Sequence, residues 1–358
     1  MSESRRLGPG EPRSAGAIPQ RRIPQAWPKD RRFRILSIDG GGIRGIFPAA
    51  VLAGLERHHT GGSSIASYFD LVASTSTGGI LALGLGAGYS AGELLDLYVR
   101  RGCEVFPPFP DNAFGRLRGW LRDKKHYARY LYDRDALDRL LTDKLGGRLF
   151  GDSAVRLCIP AFEGRHSEVF VFKTPHHPDY QSDRFERMVN VGLATAAAPT
   201  YFRPLEHTGY TLVDGGVWSN NPIMLAVVEA LICFDIARDQ IDVLSLGCGD
   251  DKYIVSRTEI TKGGLWHWKK IIEAAMRLQS LAVTNQARLL LGPPSVIRLD
   301  APTFEPKIRM DDWRRSVAEL VPAADAAVAS QGDRIAAMFL KEVAVPFVAV
   351  PEPSAVSR

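Results

Sequence analysis

No apolar run in the chain reaches the ~18–20 residues that a helix needs to cross a bilayer, so a membrane-spanning protein is not expected. The first 30 residues contain no hydrophobic core region, and they do not read as a secretory signal. Cysteine is scarce: Cys103, Cys158, Cys233 and Cys248 stand far apart and form no C-x-x-C pair. That spacing supplies neither a zinc framework nor a disulfide scaffold, and it suits a reducing compartment. No internal repeat is visible. The expectation is a cytoplasmic protein that needs no metal and no cofactor.

What is present is ordinary in bulk and specific in detail. With 45% apolar and 24% charged residues, the 358-residue chain can bury a sizeable core as one large α/β domain or two smaller ones. A formal charge of +5 permits an anionic partner without naming one. Residues 1–30 are rich in Pro, Gly and Arg and read as a disordered arm. The folded domain is expected over 31–345, including a helical extension at its end, with 346–358 as a tail. Strand-like segments alternate with helical ones, which means an α/β domain with a mainly parallel sheet. Residues 155–162 and 168–173 read as adjacent strands, 185–198 and 265–291 as helices, and two further helices are expected in the tail.

Three stretches carry chemistry. Residues 32–39 read as a strand ending in Asp39, and Gly40-Gly41-Gly42-Ile43-Arg44-Gly45 leads from it into an apolar helix. Glycines between a strand and a helix let backbone amides converge on an anion. A dinucleotide fingerprint would need an acidic residue about twenty positions on, where His59 and Thr60 stand. An oxyanion or phosphate-binding loop fits better. In the second stretch, 69–73 reads as a short buried strand, and Gly78 and Gly79 open an apolar helix. Ser76 lies on the sharp turn between them, the arrangement of a nucleophile elbow; a Ser/Thr-rich loop before a helix is the plainer reading. The third is a strand at 210–214 ending in Asp214-Gly215-Gly216, where Asp214 could equally cap a turn. Carboxyl ends of parallel strands gather on one edge, so the three loops converge on one crevice.

Together Asp39-Gly-Gly-Gly-Ile-Arg-Gly45, Ser74-Thr-Ser-Thr-Gly78 and Asp214-Gly-Gly216 resemble, in order and spacing, the three signatures of patatin-like phospholipases. The resemblance covers about residues 33–250 and implies a three-layer α/β/α patatin-like sandwich. It also implies that Ser76 is the nucleophile and Asp214 its partner in a Ser-Asp dyad, with the Gly40, Gly41 and Gly42 amides, Arg44 and Gly45 as the oxyanion and anion-binding loop. One position departs: Ser74 stands where the family's elbow usually begins with Gly. A carboxylate is a weaker base than imidazole, so the dyad needs a desolvated Asp and a short hydrogen bond.

Several alternatives stay open at this level. A Ser-Asp-His triad would have to recruit His267, the only histidine after Asp214, which sits near a helix start. His176 and His177 read as loop surface rather than a metal pair. Residues 169–177 and 214–222 resemble bacterial patatin-like effectors of cyclic-oligonucleotide antiphage signalling, in which a cyclic dinucleotide switches on a phospholipase. Residues 261–270 offer Lys262, Trp266, Trp268 and Lys269 as cations and stacking faces for such a ligand, or as an ordinary capped helix. A basic amphipathic segment at 114–127, with Arg116, Arg118 and Arg122 around Trp120, fits either a membrane-surface helix or a solvated one. The resemblance implies membrane phospholipids as partners at the inner membrane surface, not DNA or RNA, and is compatible with a homo-oligomer. An unregulated lipid acyl hydrolase and a non-catalytic lipid or nucleotide sensor are the rival functions.

Overall fold

The computed structural model describes residues 10–12, 22–108, 130–249 and 271–351. The basic segment at 114–127, His267 and the proposed nucleotide contacts Lys262, Trp266, Trp268 and Lys269 lie outside the described residues.

The sheet grows from β1 (Phe33–Ile38), whose six residues are all buried. A strand covered on both faces reads as a continuous apolar run, the mark of the centre of a parallel sheet. β1 pairs in parallel with β2 (Leu71–Ser74) on one side and with β7 (Ile241–Leu246) on the other. β8 (Val296–Leu299) extends the β7 side in parallel, and β3 (Leu157–Glu163) the β2 side. Beyond β3 the sheet turns antiparallel. β4 (Glu168–Lys173) returns as a hairpin, and β6 (Tyr210–Asp214) joins β3 and carries β5 (Leu205–His207).

Register on β3 decides where the chemistry sits. Val72 and Ala73 of β2 face Leu157 and Cys158, in its first half, whereas Asp214 of β6 faces Ala161, further along. β6 therefore takes up the pairing where β2 ends, and Asp214 is delivered beside the turn that follows Ser74.

Helices cover both faces. Alternating residues of the parallel strands divide between two cores, Leu36, Val72 and Leu244 in one and Ile35, Leu71 and Val243 in the other. The first core receives α1 (Ile46–His59), α2 (Thr77–Gly86), α3 (Ala91–Val105), α4 (Arg134–Leu145) and α5 (Met188–Thr195). After the short α6 (Gly216–Ser219), the second core receives α7 (Ile223–Cys233) and α8 (Ile271–Leu291). This is the expected three-layer arrangement with a mainly parallel sheet. A capping box opens α3: the Ser90 hydroxyl accepts from the Glu93 N–H, and the Glu93 carboxylate accepts from the Ser90 N–H.

Three expectations change. Residues 22–30, read as part of the disordered arm, include Trp27, which is buried with its ring 4.8 Å from Phe33 and 5.4 Å from Phe234. A single large aromatic side chain anchors a segment whose average composition is that of a tail. The start of the C-terminal tail is also held, since the Val350 N–H donates to the Pro175 carbonyl at 2.8 Å. In place of two tail helices the chain runs helically from Trp313–Arg315 through a π-turn at Ser316–Leu320 into α9 (Val321–Phe339). Pro322 is tolerated within it because it falls in the first turn after the π segment.

Candidate active site

Ser76 occupies the turn between β2 and α2 with φ of 54° and ψ of −119°, a left-handed strained conformation for a residue with a side chain. Its own contacts hold it there. The Ser76 N–H donates to Thr195 Oγ1 at 3.0 Å, Thr195 Oγ1 donates to the Pro160 carbonyl at 2.7 Å, and Thr75 Oγ1 donates to the Ser219 carbonyl at 2.6 Å. Gly78 is required by close approach: a Cβ there would sit 2.6 Å from the Ile38 carbonyl oxygen and 2.8 Å from that of Asp39. The elbow is thereby pressed onto the start of the glycine loop. Ser74 is fully buried at the end of β2, and its hydroxyl has no partner among the described residues. The hydroxyl therefore fits the elbow sterically but costs about 1–3 kcal/mol as an unsatisfied buried group.

Ser76 Oγ donates a 2.6 Å hydrogen bond to Asp214 Oδ2. The other carboxylate oxygen, Oδ1, accepts from the Gly216 N–H at 2.7 Å, so the Gly215-Gly216 turn orients the acid. Asp214 is only 4% exposed. Burial lifts its carboxyl from an ordinary 3.8 to about 7, while the bonds from Ser76 and Gly216 pull the other way. The folded value lies above the unfolded one, so this group favours folding most below pH ~4, and that contribution is lost as pH rises through about 7. Asp214→Asn cannot ionise and escapes the loss. Its stability advantage over the unmodified protein is expected to grow from about 1 kcal/mol at pH 4.5 to about 4 kcal/mol at pH 8. Denaturant titrations at the two pH values measure this, and an equal difference at both would mean that folding does not raise the Asp214 carboxyl above its ordinary value.

The glycine loop divides its amides. The Gly40 N–H donates to the Asn220 carbonyl, the Ile43 N–H to Met310 and the Arg44 N–H to Gly41. Among the described residues the Gly41 and Gly42 N–H groups have no acceptor, and both residues line the pocket beside Ser76. Gly40, expected as a donor, is already committed. Arg44 also differs from expectation: its guanidinium donates to the Gly249 carbonyl at 2.8 Å and lines a small separate cleft. Gly45 lets the loop pack on Thr77 of the elbow. Asp39, at the head of the loop, is gripped by Arg298 of β8 through bonds of 2.8 and 2.7 Å.

Ser76 and Asp214 open into a pocket of about 620 Å³, lined mainly by apolar side chains such as Ile80, Leu97, Val105, Phe106, Leu140 and Phe202. A cavity of that size and character accepts an apolar chain, which on entering displaces water from the Ser–Asp pair.

The sequence model of the patatin-like phospholipase family matches residues 36–227. The chain belongs to that family. Its relatives include the cGAMP-activated phospholipase of Vibrio cholerae, 34% identical over 66% of this chain and 70% of that one. The cGAMP-activated phospholipase of Pseudomonas aeruginosa is 33% identical over 73% of this chain and 76% of its own. Patatin-like protein 2 of Arabidopsis thaliana is 31% identical over 65% of this chain and 64% of its own. The matched region of the family model ends before Arg298, so the grip on Asp39 falls outside it.

A second cluster corrects the reading of His176 and His177, which are each 2% exposed rather than surface. His176 Nδ1 pairs with Thr174 Oγ1 at 2.9 Å and Nε2 with Glu229 Oε1 at 3.2 Å. Cys158, His176 and Glu229 bring three ligand-type atoms within 4.8 Å of one another. Lys173 Nζ, however, lies 2.6 Å from Glu229 Oε2 and already supplies the positive charge a metal would bring. Polar residues in a loop between prolines gave no sign of this burial, because His176 meets Glu229 of α7 and His177 the Ile23 carbonyl, both distant in sequence.

Proposed function

We propose that the protein is a serine lipid acyl hydrolase that cleaves the acyl esters of membrane phospholipids with a Ser76–Asp214 dyad, and that a cyclic dinucleotide activates it. The observation that carries the reading is the 2.6 Å hydrogen bond from Ser76 Oγ to Asp214 Oδ2 at the wall of a large apolar pocket. Ser76 attacks the ester carbonyl as its proton passes to Asp214. The Gly41 and Gly42 N–H groups, together with the N-terminus of α2, face the charge that develops on the carbonyl oxygen. Asp214 then hands the proton to the leaving alcohol, and an acyl-enzyme on Ser76 remains for water to hydrolyse. An acid lifted to about 7 by burial is a far better base near neutral pH than an ordinary carboxylate.

The activator is supported by the relatives in Vibrio cholerae and Pseudomonas aeruginosa, which are cGAMP-activated phospholipases. By the resemblance of residues 169–177 and 214–222 to the antiphage effectors, the protein acts in antiphage defence, degrading the membrane of its own cell from the inner surface. Among the described residues no helix is long and apolar enough to cross a membrane, so membrane contact is peripheral in this reading. An unregulated acyl hydrolase is the second reading, supported by the match to the patatin-like phospholipase family, whose description names no activator.

Fatty-acid release from mixed phospholipid vesicles, with and without cGAMP and with Ser76→Ala as control, separates the two. The expected result is little release without nucleotide and a rise of at least tenfold with it. Moving a two-state enzyme from about 1% to 99% active requires roughly 10⁴-fold tighter nucleotide binding to the active form. Full release without nucleotide, unchanged by cGAMP and other cyclic dinucleotides, would leave the unregulated hydrolase.

A further inference from the structure

We propose that Asn220 is a further catalytic residue, whose side-chain carbonyl oxygen holds one hydrogen of the water that removes the acyl group from Ser76. The proposal rests on the dyad reading above.

Asn220 is 5% exposed, yet it lines the pocket that contains Ser76 and Asp214. Its Oδ1 has no hydrogen-bond partner among the described residues. Buried carbonyl oxygens are nearly always paired, so an unpaired one beside a reaction centre calls for a ligand that arrives during the reaction. The neighbouring residue shows the contrast. Asn221 Nδ2 donates to Ser280 Oγ at 3.2 Å and Thr284 Oγ1 at 3.0 Å, and Asn221 Oδ1 accepts from the Ile223 N–H at 3.0 Å. One asparagine is fully engaged in joining α7 to α8, and the other keeps an acceptor unspent.

That acceptor stands beside both halves of the dyad. A Cβ placed on Gly40 would lie 2.6 Å from Asn220 Oδ1 and 3.2 Å from the Ser76 Cβ. A Cβ placed on Gly216 would lie 3.0 Å from Asp214 Oδ1 and 3.3 Å from Asn220 Oδ1. Two missing side chains therefore let the amide approach Ser76 and Asp214 together. Its backbone is pinned as well, since the Asn220 carbonyl accepts from the Gly40 N–H at 3.0 Å.

The chemistry selects the ligand. An acceptor cannot stabilise an oxyanion, and the proton bound for the leaving alcohol is carried by Asp214. The deacylating water has two hydrogens, and Asp214 takes only one. As the water oxygen bonds to the acyl carbon, that proton passes to Asp214 Oδ2 while Asn220 Oδ1 holds the other hydrogen. The tetrahedral intermediate then collapses, the bond from the acyl carbon to Ser76 Oγ breaks, Asp214 returns its proton to Oγ, and the fatty acid leaves. Fixing the second hydrogen fixes the direction of the attacking lone pair.

The test uses a soluble nitrophenyl ester, the full chain in its activated state, and mass spectrometry of the protein during turnover. Asn220→Ala should release its first equivalent of nitrophenol within about threefold of the unmodified rate. Its steady state should be slower by roughly 10- to 100-fold, the scale of one hydrogen bond in a transition state. An acyl adduct should accumulate on Ser76. Asn220→Ser, which keeps an acceptor on a shorter arm, should show the same burst with intermediate turnover, and it carries the test if the alanine variant fails to fold. A burst that falls in step with the steady state, or a steady state that does not change, overturns the proposal. If the unmodified protein forms no Ser76 adduct and Ser76→Ala still turns over, the dyad reading itself fails and the proposal falls with it.

Discussion

Ser76→Ala and Asp214→Asn are each expected to lower phospholipid hydrolysis by about 10⁴-fold or more, with vesicle binding nearly unchanged. The two side chains work as one unit: the serine is a poor nucleophile without a base, and the acid has no other proton to accept in the first step. Losing both should therefore cost little more than losing either. The pH profile gives an independent reading of the same pair. Because the base must be ionised, kcat/KM should fall on the acid side with an inflection near the value of about 7 that burial imposes on Asp214. In Ser76→Ala the bond that favours the ionised acid is gone, so the carboxyl should titrate higher still. A fold that survives is expected, since Asp214 keeps its bond from the Gly216 N–H in the serine variant. Retention of most activity by Asp214→Asn, together with its loss in His267→Ala, would replace the dyad with a triad.

How much of this could be read in the sequence depends on how local each determinant is. β6 was expected at 210–214 and is Tyr210–Asp214, because its alternating apolar residues and the following glycines fix both ends within a few positions. The elbow was legible for the same reason: strand, turn and helix are contiguous, and small residues mark the turn. The direction of β6 was not legible, since antiparallel pairing with β3 depends on contacts roughly fifty residues away, and it is that pairing which brings Asp214 beside Ser76. Asp39 and Arg298 lie still further apart in sequence, and nothing in either segment announces the other. The resemblance implied Arg44 as an anion contact, whereas a backbone carbonyl from a distant turn takes one of its guanidinium nitrogens. His176 and Trp27 make the same point for burial. Polar or proline-rich surroundings predict exposure on average, and a single long-range partner reverses it.

Gly41→Ala should lower turnover by about 10²–10³-fold, the usual cost of one misplaced oxyanion donor, and change KM less. The argument is one of space rather than backbone strain. Gly41 has φ of 172°, outside the left-handed region that favours glycine. An alanine Cβ, however, would lie 2.3 Å from the Cys248 Cβ and 2.9 Å from its sulfur. The loop must move, and with it the Gly41 and Gly42 N–H groups, which have no acceptor among the described residues. Removing the obstacle should reverse the effect: Cys248→Gly added to Gly41→Ala is expected to recover most of the lost turnover. At Gly42 no such rescue is available. Its φ of 60° is a left-handed conformation, and a Cβ there would meet the Met310 backbone oxygen at 2.4 Å. A double variant as slow as Gly41→Ala alone would show that the amide at position 41 acts through something other than its placement against Cys248. A loss confined to KM would instead make the loop a phosphate-recognition element of the substrate site.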